Sequence, residues 1–505
     1  MFTFLAIILI LYSCSGKGSE VLRSELVENN ENMESDKRWS ALVNESSLFS
    51  LNIGKDERLV SVKSEMGNET RIIDRETFEY SAKDSRIVFD TITTFVESND
   101  GKRRSEDGTI GRETNNNISI ATRAEASYII YLAGDNNLGT DGFLHRDLKE
   151  IESSHIDPLK LNVIIYLDVP EPHEFKNRKE YRPPGIYKLI DGKVVCVKKI
   201  VGEKNTGNKR TLIECLREAS SFSKSKINIL DIWGHGLGVL GVGFDDYHKD
   251  HIVEDEYLTP NELRDAIKIG FGGKLDLLIF SACHMINCGA LYPLIESAEA
   301  IVGSPEFVPA DGSFYGSKTG LLSWISNNLN KSPNEIAKNI AQINFESFLH
   351  GGEQHNKKDA YHQYLCYSAV DQSAMPKLME SLRDLFSILK EDKVNIDEIR
   401  KYCLCYGSTD HYSRFDTPFP DLIDLINNIP EKCRTKKQQK SIKNVMENIK
   451  KYLIFSRSID KEYDGVEKSG ISIFYPDSMS YGREYIKKAS LFAEESGWAN
   501  LIEWP

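Results

Sequence analysis

The distribution of apolar and polar positions changes character near residue 122. From Ser15 to about Ala121 the chain is polar and rich in turn formers, with an acidic, Asn-rich stretch around 28–36 and the run NDGKRRSEDGTIGRETNNN at 99–117, which reads as an exposed linker. Only short alternating segments interrupt it, RLVSV (58–62) and SRIVFDTITTFV (85–96), whose period of two predicts a few strands of a small β module or a pro-region. Beyond the linker come apolar runs of strand length: SYIIYLA (127–133), LNVIIYLD (161–168), INILDIW (227–233), LDLLIF (275–280) and AIVGS (300–304). They do not alternate strictly, the pattern of strands covered on both faces of a mainly parallel sheet. Between them, TLIECLREASSFSK (211–224) and TPNELRDAIKI (259–269) carry apolar residues at helical spacing behind N-cap residues. Strand and helix in alternation predict an α/β fold with crossover helices.

Later in the chain, NEIAKNIAQINFESFL (334–349), AMPKLMESLRDLFSILKE (374–391) and the Lys-rich EKCRTKKQQKSIKNVMENIKKYL (431–453) predict helices, the last with a solvated face. A chain of 505 residues exceeds the ~100–200 of a single domain. The expected division is a leader (1–14), a polar N-terminal region with a possible β module and linker (15–122), an α/β core (123–330) and a C-terminal subdomain packed on it (331–505). With 63 Lys and Arg against 76 Asp and Glu, the formal charge of −13 repels a phosphate backbone and argues against nucleic acid as a partner.

The first thirteen residues, MFTFLAIILILYS, form an apolar run too short for the ~20 residues of a membrane-spanning helix, but of signal-peptide length. The run ends in Leu11-Tyr12-Ser13-Cys14, which resembles the lipobox of bacterial lipoproteins and implies export, a lipid anchor on Cys14, and a place on the outer membrane or cell surface. No Lys or Arg precedes the run, so an uncleaved or differently processed signal stays open. The other eight cysteines show no paired CxxC spacing. They predict neither a zinc site nor a disulfide framework, and most read as buried small hydrophobes.

In parallel sheets the functional groups gather at the carboxyl edge. There INILDIW runs into Gly234-His235-Gly236-Leu237-Gly238, and LDLLIF into Ser281-Ala282-Cys283-His284. If these strands are neighbours, an imidazole and a thiol project from one edge. A thiol attacks as thiolate, and an imidazole can take its proton and return it to a leaving amine. The backbone N–H groups of Gly236 and Cys283 would then serve a developing oxyanion. His284 is the competing base, but its position beside the thiol directs it elsewhere. Gly236 to Gly241 matches GxGxxG, yet no helix opens at the third glycine, as a dinucleotide would require. The glycines instead suit close approach of backbone to a substrate around His235. The loop from Asp245 to His251 collects carboxylates and imidazoles at spacings of neither zinc nor calcium sites and reads as solvated. This chemistry requires no cofactor and no metal.

Several separated stretches resemble the clostripain family of cysteine peptidases, relatives of caspases, gingipains and legumain. They are YLAGDNNLG (131–139), LNVIIYLD (161–168), NILDIWGHGLG (228–238), LDLLIFSACHM (275–285), IVGSPEFVPADGSFY (301–315) and GISIFYP (470–476), the last similar to a late strand of the family. The resemblance implies a caspase-like three-layer α/β/α sandwich with a helical C-terminal subdomain. It also implies an endopeptidase acting on proteins or peptides, with His235 as general base and Cys283 as nucleophile. Two positions depart from the family pattern: Ser281 stands where an aspartate usually gives the pocket its affinity for Arg or Lys, and Gly234 stands before the histidine where Asp is usual. Asp311, in the segment that lines the same pocket, either keeps one negative charge there or merely supports the turn before Gly312. In the family a loop after the histidine is cut autocatalytically, and Lys249 offers a basic cleavage point in residues 244–256, whose composition predicts little packed structure. A rival of another class is a catalytically silent lipoprotein that keeps the fold as a binding module. Labelling of Cys283 by a thiol-reactive probe separates the two.

Overall fold

In a computed structural model, the structure describes the strands between Val27 and Val96, and residues 124–502 apart from 171, 173–180, 203, 223–224, 247–256, 356–363, 408–416, 431–433, 461–466 and 476–489. The chain divides into two compact units, Met1–Ile120 and Ala121–Pro505. In the first, strands Lys37–Asn44, Ser47–Ile53, Leu59–Ser64 and Glu69–Ile72 pair antiparallel in sequence order, with Val27–Glu28 and Thr94–Val96 at the two edges. A separate hairpin joins Phe78–Ser81 to Arg86–Phe89.

The second unit is built on a mixed sheet of nine strands: β1 (Ala126–Ala133), β2 (Leu161–Asp168), β3 (Gly185–Ile190), β4 (Lys193–Lys199), β5 (Ile227–Trp233), β6 (Leu275–Ser281), β7 (Ala298–Gly303), β8 (Tyr364–Asp371) and β9 (Leu453–Asp460), in the order β4-β3-β2-β1-β5-β6-β7-β8-β9. The five strands from β2 to β7 in that order are parallel, and the strands at both ends run antiparallel. The parallel five are the apolar runs named above. Alternate residues feed two cores: Tyr128, Ile130 and Leu132 of β1 enter one with Ile229, Trp233, Leu277 and Ile279, while Ile129 and Tyr131 enter the other with Leu230, Ile232, Leu278 and Phe280.

Helices α1 (Phe143–Ser153) and α4 (Pro333–Ser347) close the first face. Helices α2 (Lys209–Phe222), α3 (Pro260–Ala266), α5 (Met375–Glu391) and α6 (Lys436–Tyr452) close the second. This is the three-layer α/β/α sandwich. Two helices start on the same four-residue device: Thr259-Pro260-Asn261-Glu262 and Ser332-Pro333-Asn334-Glu335 each form a capping box, with proline where its missing N–H costs nothing. The helical C-terminal region is present, and from it β8 and β9 also extend the sheet.

Three features differ from the sequence reading. The hairpin β3–β4 turns on Asp191-Gly192, both at positive φ (50° and 71°), as a two-residue turn between right-twisted strands requires. GISIFYP forms no strand of the sheet. Residues 471–475 run between two loops: Ser472 N–H donates to Ile286 O (3.1 Å) on one side, and Ile473 N–H donates to Pro420 O (3.0 Å) on the other. Residues 244 and 245 are packed, because the Phe244 ring stacks on Tyr257 at 5.1 Å and buried Asp245 accepts from Thr206 N–H (2.7 Å) and Oγ1 (3.0 Å).

Candidate active site

The chain reverses its direction of travel across the sheet between β1 and β5, so the loops leaving those strands part and open a crevice at the carboxyl edge. Register then places the two expected groups. Trp233 of β5 lies opposite Ser281 of β6, and His235 and Cys283 each follow two residues later. Both line one cleft of about 920 Å³. The glycines around the histidine serve the protein's own backbone. A Cβ on Gly236 would stand 2.5 Å from Cys283 O and 3.2 Å from Cys283 N, so only glycine lets the two turns touch. Gly236 also occupies the non-bonded position of its bridge to Val242, flanked by Leu237 N–H to Gly241 O (2.9 Å) and Gly243 N–H to His235 O (3.0 Å). Its own N–H is therefore not spent on Val242.

The half-buried His235 ring meets Asn137 Oδ1 at 2.6 Å through Nε2. An amide oxygen only accepts, so with this orientation Nε2 carries the proton and Nδ1 keeps its lone pair. Asn137 follows β1, where Asn136 caps the next helical turn through Leu138 N–H (2.9 Å) and donates to Ala133 O and Phe244 O, both at 3.0 Å. The Asp-Asn-Asn-Leu turn thus ties the first strand to the loop after the histidine. Burial holds the His235 pKa below the ordinary imidazole value, and the carboxylate of Asp246, also on the cleft, acts in the opposite sense. Asp246→Asn removes the negative charge that raises this pKa. It should move any rate limb that follows His235 ionisation to lower pH, as a pH series on wild type and variant will read. A limb that moves upward would contradict this electrostatic arrangement.

Cys283 is half-buried and accepts a hydrogen bond from Val308 N–H at 3.3 Å, a donor that a thiolate uses better than a thiol. The segment bearing Val308 is anchored by Glu306. Its carboxylate accepts from Phe307 N–H (3.0 Å), Gly407 N–H (2.6 Å) and Lys468 Nζ (2.8 Å), an ion pair with side chains 2% and 5% exposed. Its carbonyl accepts from His284 N–H (3.1 Å). The His284 ring is buried, bonded through Nδ1 to Pro305 O (3.0 Å), stacked on Phe419 at 4.6 Å and edge-on to Phe307 at 4.7 Å. The competing imidazole is thereby committed to the interior.

Ser281 donates to Asp231 Oδ1 (2.8 Å) and lies 2.7 Å from Ser313 Oγ. Asp231 also accepts from the hydroxyls of Tyr128 and Tyr315, both at 2.8 Å. Burial pushes its carboxyl up to about 6, against the lowering effect of those hydroxyl donors. A carboxylate therefore does lie behind Ser281, one strand over and out of the cleft. Its signal in the sequence was a lone acid inside the apolar run INILDIW. Asp311 lines the cleft, where its Oδ1 accepts from Arg146 Nη1 at 2.5 Å. The turn there is closed by Gly312 N–H to Pro309 O (2.8 Å). Neither Asn137 nor Arg146 was singled out by sequence reasoning, since each acts on a partner about 100 or more residues away. Cys14 and Lys249 lie outside the described residues.

Residues 130–504 match the model of the clostripain family, peptidase family C11. Two solved structures are similar in fold. A secreted C11 cysteine protease from Bacteroides thetaiotaomicron, in complex with an irreversible peptide inhibitor, is 17% identical with a TM-score of 0.52, over 75% of this chain and 100% of that one. An inactive zymogen C11 protease from Parabacteroides distasonis is 17% identical with a TM-score of 0.51, over 76% of this chain and 97% of that one. No curated protein matches the chain.

Proposed function

This chain belongs to the clostripain family of cysteine peptidases, and on that premise we propose that it is an exported endopeptidase whose nucleophile is Cys283 and whose base is His235. The observation that carries this reading is the register of β5 and β6, which brings an imidazole and a thiol to equivalent positions on the rim of one cleft. His235 Nδ1 takes the thiol proton, and the sulfur attacks the peptide carbonyl. The N–H groups of Gly236 and Cys283 receive the oxyanion, and the imidazolium returns the proton to the departing amine. Water, deprotonated by the same imidazole, then hydrolyses the thioester. Asn137 keeps the ring in the tautomer this sequence needs.

The substrate pocket on this reading is the part of the cleft that holds Asp311, and it takes an Arg or Lys side chain. Asp311→Asn should lower kcat/KM for peptides with Arg or Lys before the cut by ~tenfold relative to norleucine, the worth of a charge-assisted hydrogen bond. Ser281→Asp alone should add little, because the new carboxylate would face Asp231 across the present 2.8 Å contact and the two would share a proton. Combined with Asp231→Ser, it should sharpen the preference. A peptide-library profile unchanged in Asp311→Asn would rule out this pocket.

Self-processing after Lys249 and a lipid on Cys14 belong to the same reading, the first supported by the family and by a pocket for basic side chains, the second by the leader sequence. Intact-mass analysis tests both. Wild type should yield two fragments cut after Lys249 and Cys283→Ala one chain, with the wild-type N-terminal fragment and the uncut variant both beginning at a lipidated Cys14. A single active wild-type chain would remove the processing step, and a different N-terminus the anchor.

A further inference from the structure

Arg146 stands in the cleft on the carboxylate that the proposed pocket offers to a substrate. We infer that its guanidinium occupies, in the free protein, the place a basic substrate side chain takes on Asp311, so that binding exchanges one cation for another. The inference rests on the Asp311 pocket proposed above. The ion pair is short, Nη1 to Oδ1 at 2.5 Å, and its two members differ in exposure: Asp311 is 1% exposed and Arg146 43%. The acceptor is held in the wall, its backbone carbonyl accepting from Gln354 Nε2 at 3.0 Å. The donor is a solvent-reaching arm on α1. Its neighbour Asp147 pins that helix by accepting from Trp233 Nε1 at 2.6 Å, so the arm can leave without the helix moving. In the same position the Arg146 guanidinium carbon lies 4.1 Å from the Phe143 ring centroid, a cation–π contact on its own helix that does not depend on Asp311.

A buried carboxylate stripped of its cation is costly, whereas one that trades a partly exposed internal guanidinium for a substrate's loses little. The pair thus leaves the Asp311 carboxylate with a partner while the cleft is empty. Arg146 acts as a tethered competitor that weakens basic ligands in proportion to its own occupancy. It is a specificity residue, with no part in bond breaking.

The probe is benzamidine, a small amidinium, titrated calorimetrically into full-length Cys283→Ala protein, with and without Arg146→Gln. Removal of the competitor should tighten binding by up to about fivefold, the factor of one partly exposed ion pair. Asp311→Asn added to Arg146→Gln should abolish that gain, and Arg146→Lys, which keeps a point charge but not the fork, should fall between. In the active protein the preference for Arg over norleucine should rise by the same factor, through KM. Equal or weaker benzamidine binding in Arg146→Gln would overturn the inference. So would a wild-type preference for acidic residues that disappears with Arg146. If no peptide is hydrolysed at all, the peptidase reading falls while the benzamidine titration still decides the exchange.

Discussion

Cys283→Ala is expected to abolish peptide hydrolysis, by at least ~10⁴-fold, and His235→Ala to approach the same loss, because in the proposed mechanism nucleophile and base act as one unit. For the same reason the double variant should be no worse than Cys283→Ala alone. Both side chains are half-buried on the rim of an open cleft rather than in either core, so thermal unfolding should stay close to wild type. Asn137→Ala should fall between wild type and His235→Ala, since it leaves the imidazole present but no longer held at 2.6 Å. Kinetics on the four variants check the whole arrangement. Wild-type activity in Cys283→Ala would remove this mechanism.

The second large effect is expected far from the chemistry. Lys468→Met strands the Glu306 carboxylate in the interior, and breaking a buried pair from one side costs ~3–5 kcal/mol. Glu306 also accepts Phe307 N–H and precedes the Val308 N–H that reaches Cys283 Sγ, so activity should fall together with stability. Adding Glu306→Gln to Lys468→Met should recover much of the stability, because the amide oxygen can still accept from Phe307 and Gly407 without carrying charge. Urea unfolding of the single and double variants measures this directly. A single-variant cost below ~1 kcal/mol would show that the pair is not the anchor described here.

Much of this protein is legible before any coordinates are known. The five parallel strands are apolar runs because both of their faces are covered, and helices α3 and α4 announce themselves through capping boxes written within four residues. The cleft's place follows from the carboxyl-edge rule, and the two groups on its rim from residues directly after two of those runs. The hairpin β3–β4 was legible as well, in the Asp191-Gly192 dipeptide between alternating segments, but it is easily passed over because its second strand is mostly exposed.

What the sequence by itself determined is everything carried by short-range periodicity: the strand and helix segments, their caps, and the residues that end each central strand. The tertiary structure alone decided which strands are neighbours and which side chains close on one another across them. Asn137 meets His235, Arg146 meets Asp311, and Lys468 meets Glu306 over separations of 98, 165 and 162 residues. The same packing turned residues 471–475 into a tie between two loops instead of a strand. The physical reason is that backbone preference and amphipathic period act within a turn or two. An ion pair or hydrogen bond is set instead by burial, which fixes which charge must be answered, and burial exists only once the sheet has been assembled.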